Sequence, residues 1–336
     1  MENNRRAIKN AINRKAQPGC PWQINYTKPY EKMFAQEYPD TEIDSILENS
    51  MVMLKYKRNI PINATQERDL FGMVWNKSSE DGGDIGLPAG ALLKESSLNG
   101  FTFPKPDIAF AQAQARKLEE DTSGRYRVFG LTFTLYERAW GLRGMEELLM
   151  DMIAEPQFVH SLMEKITEHH LELLDQVLDY DFDAVYFGDD WGAQRGLIFG
   201  KTLWQKFIKP YLKQLCAKVK SKDKNVILHS CGNIWEILDQ VIEIGVDCYN
   251  TVQPEIYDLN QLVNEFGKDL TFYGGISNQT FLPNATPEEV EKKCLETMEV
   301  LNRYHGYILS PTHSVTPDIP IENLFAIVKA AKKYMA

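Results

Sequence analysis

Short runs of apolar residues alternate with longer amphipathic stretches from about residue 127 to the end of the chain. The runs are rich in β-branched and aromatic side chains, and their length suits buried strands. They fall at residues 128–133, 184–187, 226–228, 247–251, 270–273 and 306–309. The stretches between them repeat their apolar positions with the period of a helix that buries one face. The pattern therefore predicts strands and helices in alternation.

Several of the predicted helices carry start signals. Pro156 follows Glu155 and begins a helix that runs to about residue 180, because proline is tolerated in a first helical turn. Thr286 precedes a proline and two glutamates, which predicts an N-cap and a helix to about residue 304. Two further helices are predicted over residues 201–220 and 319–334.

Strands that alternate with helices favour a parallel sheet covered by helices. We predict the α/β class, a (β/α)8 TIM barrel with its active site at the C-terminal ends of the strands. Residues 1–336 are predicted to form a single barrel domain. In it, 1–125 is an irregular part with the first strands, near 22–26 or 70–75, and 126–336 holds the regular βα units. The rival is an open doubly wound sheet, but the sequence has neither its G-x-G-x-x-G fingerprint nor a Walker loop.

The amino-acid composition limits the classes of function that are expected for this protein. The chain has 336 residues, of which 43% are hydrophobic and 25% charged, as in a globular protein. A net charge of −10 gives no electrostatic reason to expect nucleic acid or an anionic membrane as a partner. No apolar stretch is long enough for a membrane span or a secretion signal. Five scattered cysteines do not form a disulfide framework, so we expect a reducing, cytoplasmic location.

The sharpest chemical signal is a histidine and a cysteine two residues apart. His229 and Cys231 follow the run 226–228, and residues at i and i+2 of an extended segment point to the same side. Imidazole and thiolate both bind zinc, and His313, after the run 306–309, is the candidate third ligand. Three protein ligands with one open position are typical of a catalytic zinc. The alternative is an ordinary buried cysteine and a hydrogen-bonded histidine.

Acidic residues follow another predicted strand. Asp189 and Asp190 come directly after the run 184–187, and neighbouring side chains of an extended segment point to opposite sides. One of them is expected to enter the cleft, as a general acid or base, a proton donor, a hydrogen-bond anchor or a further metal ligand, while the other caps a turn. Glu137 is a third catalytic candidate. A turn and cap without catalytic function is the alternative for the aspartates.

Polar and aromatic residues near the predicted strand ends are the candidates for substrate binding. They are Tyr136, Arg138, Trp191 and Gln253. Loop residues without a binding role are the alternative. The histidines within or at the ends of predicted helices are interpreted as structural. They are His160, His169, His170 and His305.

Six segments together resemble one known family. They lie at residues 11–22, 136–140, 187–192, 229–232, 273–276 and 309–313. On these segments the sequence resembles the uroporphyrinogen decarboxylase superfamily, in its branch of corrinoid-linked methyltransferases of the methylcobamide and O-demethylase type. The resemblance covers most of the chain and implies the same barrel fold.

The resemblance implies one of two chemistries. Decarboxylases of this superfamily use no metal and hold a tetrapyrrole with an N-terminal arginine loop and an aspartate. The methyltransferases bind zinc through a His-x-Cys motif and a later cysteine. They move a methyl group between a small molecule, which is a methyl ether, another methylated compound or a thiol, and the cobalt of a separate corrinoid protein.

His229 and Cys231 match the methyltransferase motif, and His313 stands where the later cysteine is expected. Histidine also binds zinc, but it stands near this position in the decarboxylases too, so His313 does not discriminate. The arginine loop has no convincing match. A corrinoid-binding D-x-H-x-x-G motif does not occur, so the corrinoid is expected on a partner protein.

The resemblance therefore favours a zinc-dependent methyltransferase that works with a corrinoid protein and a small-molecule substrate. A metal-independent decarboxylase is the alternative, and a non-catalytic binding protein that kept the fold is a third hypothesis. A homodimer is compatible with the family, but no residue pattern here decides it.

Overall fold

The computed structural model describes residues 2–77 and 85–335, and the chain divides into two compact units. The first unit comprises Met1–Val52, Asp121–Arg127 and Asp247–Ala336. The second unit comprises Met53–Glu120 and Val128–Val246. The single domain expected from the sequence remains a prediction.

Parallel strands form the centre of the second unit. Tyr126–Thr132 and Asn225–His229 flank Ala184–Gly188, and every residue of that middle strand is buried. Thr132 and His229 both pair with Gly188, so the three strands end level with one another. The strand Met51–Lys55 lies beside Tyr126–Thr132, and the first two residues of each of these strands belong to the first unit. The segments that follow these strands therefore begin at one edge of the sheet.

The helices of the second unit alternate with these strands. They are Ile108–Glu119, Tyr136–Arg143, Met145–Ala154, Pro156–Val177, Gly200–Phe207, Lys209–Lys220 and Leu238–Glu243, with a 3₁₀ turn at Trp235–Ile237. The single helix predicted over 201–220 is instead two helices. The break lies before Pro210, whose ring nitrogen has no hydrogen to donate to the preceding turn.

The described part of the second unit also contains two antiparallel sheets. The larger has the strand order Ile60–Asn63, Gln66–Arg68, Val74–Lys77 and Ile85–Pro88. The smaller pairs Gly192–Ala193 with Gly196–Leu197. The prediction of a barrel strand over 70–75 is therefore wrong. Most of this apolar run precedes the antiparallel strand Val74–Lys77, in which Trp75 is the buried residue.

Among its described residues, the first unit contains three more parallel strands. Cys248–Val252 pairs with Thr271–Ile276, which pairs in turn with Tyr307–Pro311, and all their residues are buried. The predicted strand over 22–26 is reduced to two isolated parallel bridges. Trp22 pairs with Leu309 and Tyr26 with Val315.

The helices of the first unit include the predicted capped helix. They are Glu2–Ile12, Lys28–Glu37, Ile43–Leu47, Leu259–Phe266, Pro287–Leu301 and Ile321–Met335, with a 3₁₀ turn at Asn302–Tyr304. The Thr286 hydroxyl accepts the Glu289 N–H at 3.3 Å, and the Glu289 carboxylate accepts the Thr286 N–H at 2.8 Å. Two N–H groups that the helix cannot pair are satisfied in this way.

The strand–helix alternation predicted from the sequence is present in each unit, so the α/β class is confirmed. Each predicted strand from 128–133 onwards overlaps an observed one, and its ends lie within three residues of the observed ends. Across the described ranges 2–77 and 85–335, no helix has both the length and the apolar character needed to cross a lipid bilayer.

Replacing Thr286 with alanine removes the capping acceptor of the helix Pro287–Leu301. We expect Thr286→Ala to lower the free energy of unfolding by about 1 kcal/mol, measured by urea denaturation. Thr286→Ser keeps the hydroxyl and should cost less than about 0.5 kcal/mol. Equal losses in the two variants would show that the cap does not stabilise this helix.

Candidate metal centre

The segments after two neighbouring strands of the second unit bond to each other through their backbones. The Asp189 N–H donates to the carbonyl of His229 at 3.0 Å, and the Gly192 N–H donates to that of Cys231 at 3.1 Å. The Trp191 N–H donates to the hydroxyl oxygen of Ser230 at 2.9 Å. The residues that follow each strand are therefore held in fixed register.

Two glycines permit this close approach. A Cβ atom on Gly192 would lie 2.5 Å from the carbonyl carbon of Gly232, and one on Gly232 would lie 2.1 Å from the carbonyl carbon of Gly192. Gly232 also has φ of +77°, a conformation that other residues adopt only at a cost. A side chain at either position would push the two segments apart.

Asp190, His229 and Cys231 converge at this edge, and their ligand atoms all lie within 4.8 Å of one another. The Cys231 sulfur is 3.6 Å from Nε2 of His229, which is 3.5 Å from Oδ1 of Asp190. The same Oδ1 accepts the backbone N–H of Cys231 at 2.8 Å. The two-residue spacing of His229 and Cys231 thus brings them together as predicted, and a carboxylate joins them.

The electrostatics of this cluster favour a cation. Burial raises the pKa of the Cys231 thiol, and the carboxylates of Asp190 and Glu137 raise it further. Desolvation raises the pKa of Glu137 well above its usual range, and Asp190 and Asp189 add to the effect. The carboxyl groups and the thiol of this cluster thus lie so close together that their negatively charged forms repel one another. A divalent cation would stabilise those forms.

The donor set fits zinc. Carboxylate oxygen, imidazole nitrogen and thiolate sulfur are the three protein ligand types that zinc takes, and three ligands leave one position open. His229 is further held by its ring packing on Tyr186, with centroids 5.8 Å apart. Asp190 is 40% exposed, so the cluster is accessible. Asp190, His229 and Cys231 could together hold the metal.

Asp189 has a structural position. Its carboxylate accepts the backbone N–H groups of Tyr136 and Glu137, both at 2.8 Å, and the indole N–H of Trp191 at 2.7 Å. Burial raises its pKa to about 6, against the opposing effect of these donors. Asp189 is 1% exposed and anchors the start of the helix Tyr136–Arg143. The side chains of Asp189 and Asp190 therefore lie in different surroundings, as expected for neighbouring residues of an extended segment.

The three substrate-binding candidates of the second unit lie around this helix. Tyr136 is buried against Phe199, with ring centroids 4.5 Å apart. Trp191 is fully enclosed and meets Trp204 edge-on. Arg138 is buried and forms an ion pair with Asp69. Sequence reasoning missed Asp69, because no pattern links it to a residue so far along the chain.

Two candidates belong to the first unit. His313 is exposed just after the strand Tyr307–Pro311, and Gln253 is buried after Cys248–Val252. The Gln253 carbonyl accepts the N–H groups of Ile256 and Tyr257, both at 3.1 Å. The roles of His313 in metal binding and of Gln253 in substrate binding remain predictions.

The positions of the two aspartates predict different effects of their removal. Asp189→Ala leaves three buried N–H groups without an acceptor, so we expect a loss of about 2–4 kcal/mol in the free energy of unfolding. Asp190→Ala removes a partly exposed side chain and should cost less than about 1 kcal/mol. Urea denaturation of both variants measures the difference. Similar losses would contradict the anchoring position of Asp189.

Comparison with known proteins places these features in a family. A model of the family described as "Uroporphyrinogen decarboxylase (URO-D)" matches residues 114–334. The chain is 23% identical over 183 residues to a uroporphyrinogen decarboxylase of Coxiella burnetii, covering 54% of this chain and 48% of that protein. It is also 23% identical over 218 residues to a methylated-thiol–coenzyme M methyltransferase of Methanosarcina mazei, covering 65% of this chain and 56% of that protein.

A solved structure extends the likeness to the whole chain. A methyltransferase from Methanosarcina mazei superposes with a TM-score of 0.77 at 16% identity and covers 99% of both chains. This similarity shows a common fold and confirms the predicted barrel class. In sequence, the chain spans about half the length of the curated relatives it matches. Because the family model matches well over half of its residues, this chain belongs to the uroporphyrinogen decarboxylase family.

Proposed function

We propose that this protein is a zinc-dependent methyltransferase that moves a methyl group between a small molecule and the cobalt of a separate corrinoid protein. The observation that carries the proposal is the convergence of Asp190, His229 and Cys231 within 4.8 Å. A decarboxylase that uses no metal has no need of a thiol and an imidazole gathered beside a carboxylate. The likeness to the Methanosarcina methyltransferases supports the same choice.

In this proposal Asp190, His229 and Cys231 hold the metal, and His313 remains the sequence-based candidate for a further ligand. Bound zinc supplies a Lewis acid that lowers the pKa of a thiol or polarises the oxygen of a methyl ether. The backbone bonds after the strands fix His229 and Cys231 in place, so the ligands need little rearrangement on binding.

Glu137 is the proposed proton carrier beside the metal ligands. Its carboxyl group accepts the backbone N–H of Asp190, which orients it toward the cluster, and its raised pKa favours the protonated form. A protonated Glu137 can donate a hydrogen bond to a substrate oxygen or sulfur. Asp189 acts indirectly, because it fixes the backbone of Glu137.

The substrate is proposed to be a methyl ether, another methylated compound or a thiol, as in the methyltransferases that the sequence resembles. The relative from Methanosarcina mazei is named for methylated thiols and coenzyme M. Coenzyme M is therefore a reasonable first thiol to test. The corrinoid is proposed to be bound by a partner protein that docks to this chain.

Metal content tests the site directly. We expect about one zinc per chain after dialysis against zinc under reducing conditions, measured by elemental analysis. Cys231→Ala should weaken zinc binding by more than roughly 100-fold, since removing a metal ligand costs at least as much as removing its supporting residues. Asp190→Ala should weaken it too.

Cys216→Ala is the matched control, because this buried cysteine lies in the helix Lys209–Lys220 of the same unit. It should bind zinc like the wild type. His313→Ala reports separately whether residue 313 contributes a ligand. If the wild type does not take up zinc, the proposed metal site is rejected. If Cys231→Ala takes up zinc like the wild type, the metal binds at a site that does not include Cys231.

Methyl transfer tests the activity. With a methylated corrinoid as donor and coenzyme M as acceptor, we expect zinc-dependent loss of the methylcobalt absorption spectrum. Chelation or Cys231→Ala should abolish the reaction, and Cys216→Ala should preserve it. The alternative function would be established if the protein decarboxylated a porphyrinogen, kept this activity in the presence of a chelator and lost it when Asp189 or Asp190 was replaced.

A further inference from the structure

A lysine lies on the same face of the second unit's parallel sheet as His229. Lys55 is the last residue of the strand Met51–Lys55, and its side chain is exposed. A Cβ atom on Gly130, in the neighbouring strand, would lie 3.1 Å from Cγ of Lys55 and 3.4 Å from its Cα. The lysine stem therefore runs over Gly130, on the face to which residue 130 would direct a side chain.

The pairing of the strands continues this face from Gly130 to His229. Gly130 is paired with Tyr186, and paired residues of parallel strands direct their side chains to the same face. Neighbouring strands lie about 4.8 Å apart, so the two residues are close. The ring of Tyr186 stacks on the imidazole of His229, with centroids 5.8 Å apart. Lys55, Tyr186 and His229 thus form one row across the sheet.

Two glycines leave room in this row. A Cβ atom on Gly130 would be crowded by the Lys55 stem and by the Met53 sulfur, which would lie 3.4 Å away. A Cβ atom on Gly188 would lie 3.3 Å from Cε1 of Tyr186. Glycine inside a strand often marks a place where another group approaches the backbone closely. Here the lysine stem and the tyrosine ring lie over the backbone, and neither glycine places a side chain between Lys55 and His229.

The two ends of the row differ in charge. In the described strands 51–55, 126–132, 184–188 and 225–229, the other lysine or arginine is Arg127, which the alternation of side chains places on the opposite face. At the His229 end, Oδ1 of Asp190 lies 3.5 Å from Nε2 of His229. A ligand that spans the row therefore meets a cation at one end and the candidate metal site at the other.

We infer that Lys55 is a specificity-determining residue of the proposed metal centre and recognises an anionic group on the substrate. The substrate class is then a thiol that binds the metal through sulfur and carries a sulfonate or carboxylate at the end of a short chain. The inference rests on the proposed function and narrows its substrates, which otherwise include neutral thiols and methyl ethers. The lysine ammonium binds such a group as a point charge on a flexible stem.

Thiol binding to the zinc-loaded full chain tests the inference without methyl transfer. The probes are 2-mercaptoethanesulfonate, 2-mercaptoethanol and 2-aminoethanethiol, which carry an anion, a neutral hydroxyl and a cation after the same two-carbon chain. Isothermal titration calorimetry measures each affinity. We expect the wild type to bind 2-mercaptoethanesulfonate roughly 10-fold more tightly than 2-mercaptoethanol, because a charge-assisted contact to an exposed lysine contributes modestly.

Lys55→Met removes the charge and keeps most of the stem. It should lower the affinity for 2-mercaptoethanesulfonate to near that for 2-mercaptoethanol, which should not change. It should also strengthen the binding of 2-aminoethanethiol, whose ammonium is no longer repelled. Lys55→Arg keeps the charge and should keep the preference for the sulfonate. A general structural defect would not change the affinities for the anionic and the cationic thiol in opposite directions.

Lys57→Met is the matched control, because Lys57 is two residues further along and its ammonium lies 3.5 Å from the Glu67 carboxylate. It should bind all three thiols like the wild type, and every variant should hold about one zinc per chain. Equal affinity of the wild type and Lys55→Met for 2-mercaptoethanesulfonate would overturn the role of Lys55 and leave the metal site intact. If the zinc-loaded wild type binds none of the thiols, both this role and the thiol substrates of the proposed function are rejected.

Discussion

The arrangement of the site depends on one buried carboxylate. Asp189 follows the central strand Ala184–Gly188 and accepts three N–H groups, two from the first turn of the helix Tyr136–Arg143 and one from Trp191. A buried charge is stable only when it is paired or fully hydrogen-bonded, so this network leaves Asp189 little freedom. The next residue along the extended backbone must then point elsewhere, and Asp190 is directed to His229 and Cys231.

The candidate metal cluster also depends on two positions that have no side chain. Gly192 and Gly232 let the segments after neighbouring strands approach until their backbones bond. That approach brings Asp190 to within hydrogen-bonding distance of the Cys231 N–H. The sulfur, the imidazole and the carboxylate thus come from two segments that are locked together before any metal binds. Such preorganisation is typical of sites that must hold a ligand set against mutual repulsion.

The sequence contains the information for local features and much less for distant pairs. Strand positions from residue 128 onwards, the cap at Thr286 and the convergence of His229 with Cys231 all follow from period, turn chemistry and spacing, and the structure has them. The break before Pro210 also has a local cause that the amphipathic pattern concealed. By contrast, the ion pair of Asp69 with Arg138 joins residues on separate elements, and periodicity cannot predict which of many polar residues will meet.

Glu137 and Arg138 are consecutive residues of the helix Tyr136–Arg143, but their side chains lie in different electrostatic environments. Glu137 faces the candidate metal cluster, where burial and neighbouring carboxylates raise its pKa and that of the Cys231 thiol. Arg138 is buried, pairs with the carboxylate of Asp69 and packs against the rings of Phe71 and Phe133. Side chains at i and i+1 of a helix point about 100° apart, so a single helix start can supply both. Because Asp189 fixes that start, its hydrogen bonds position Glu137 and Arg138 together.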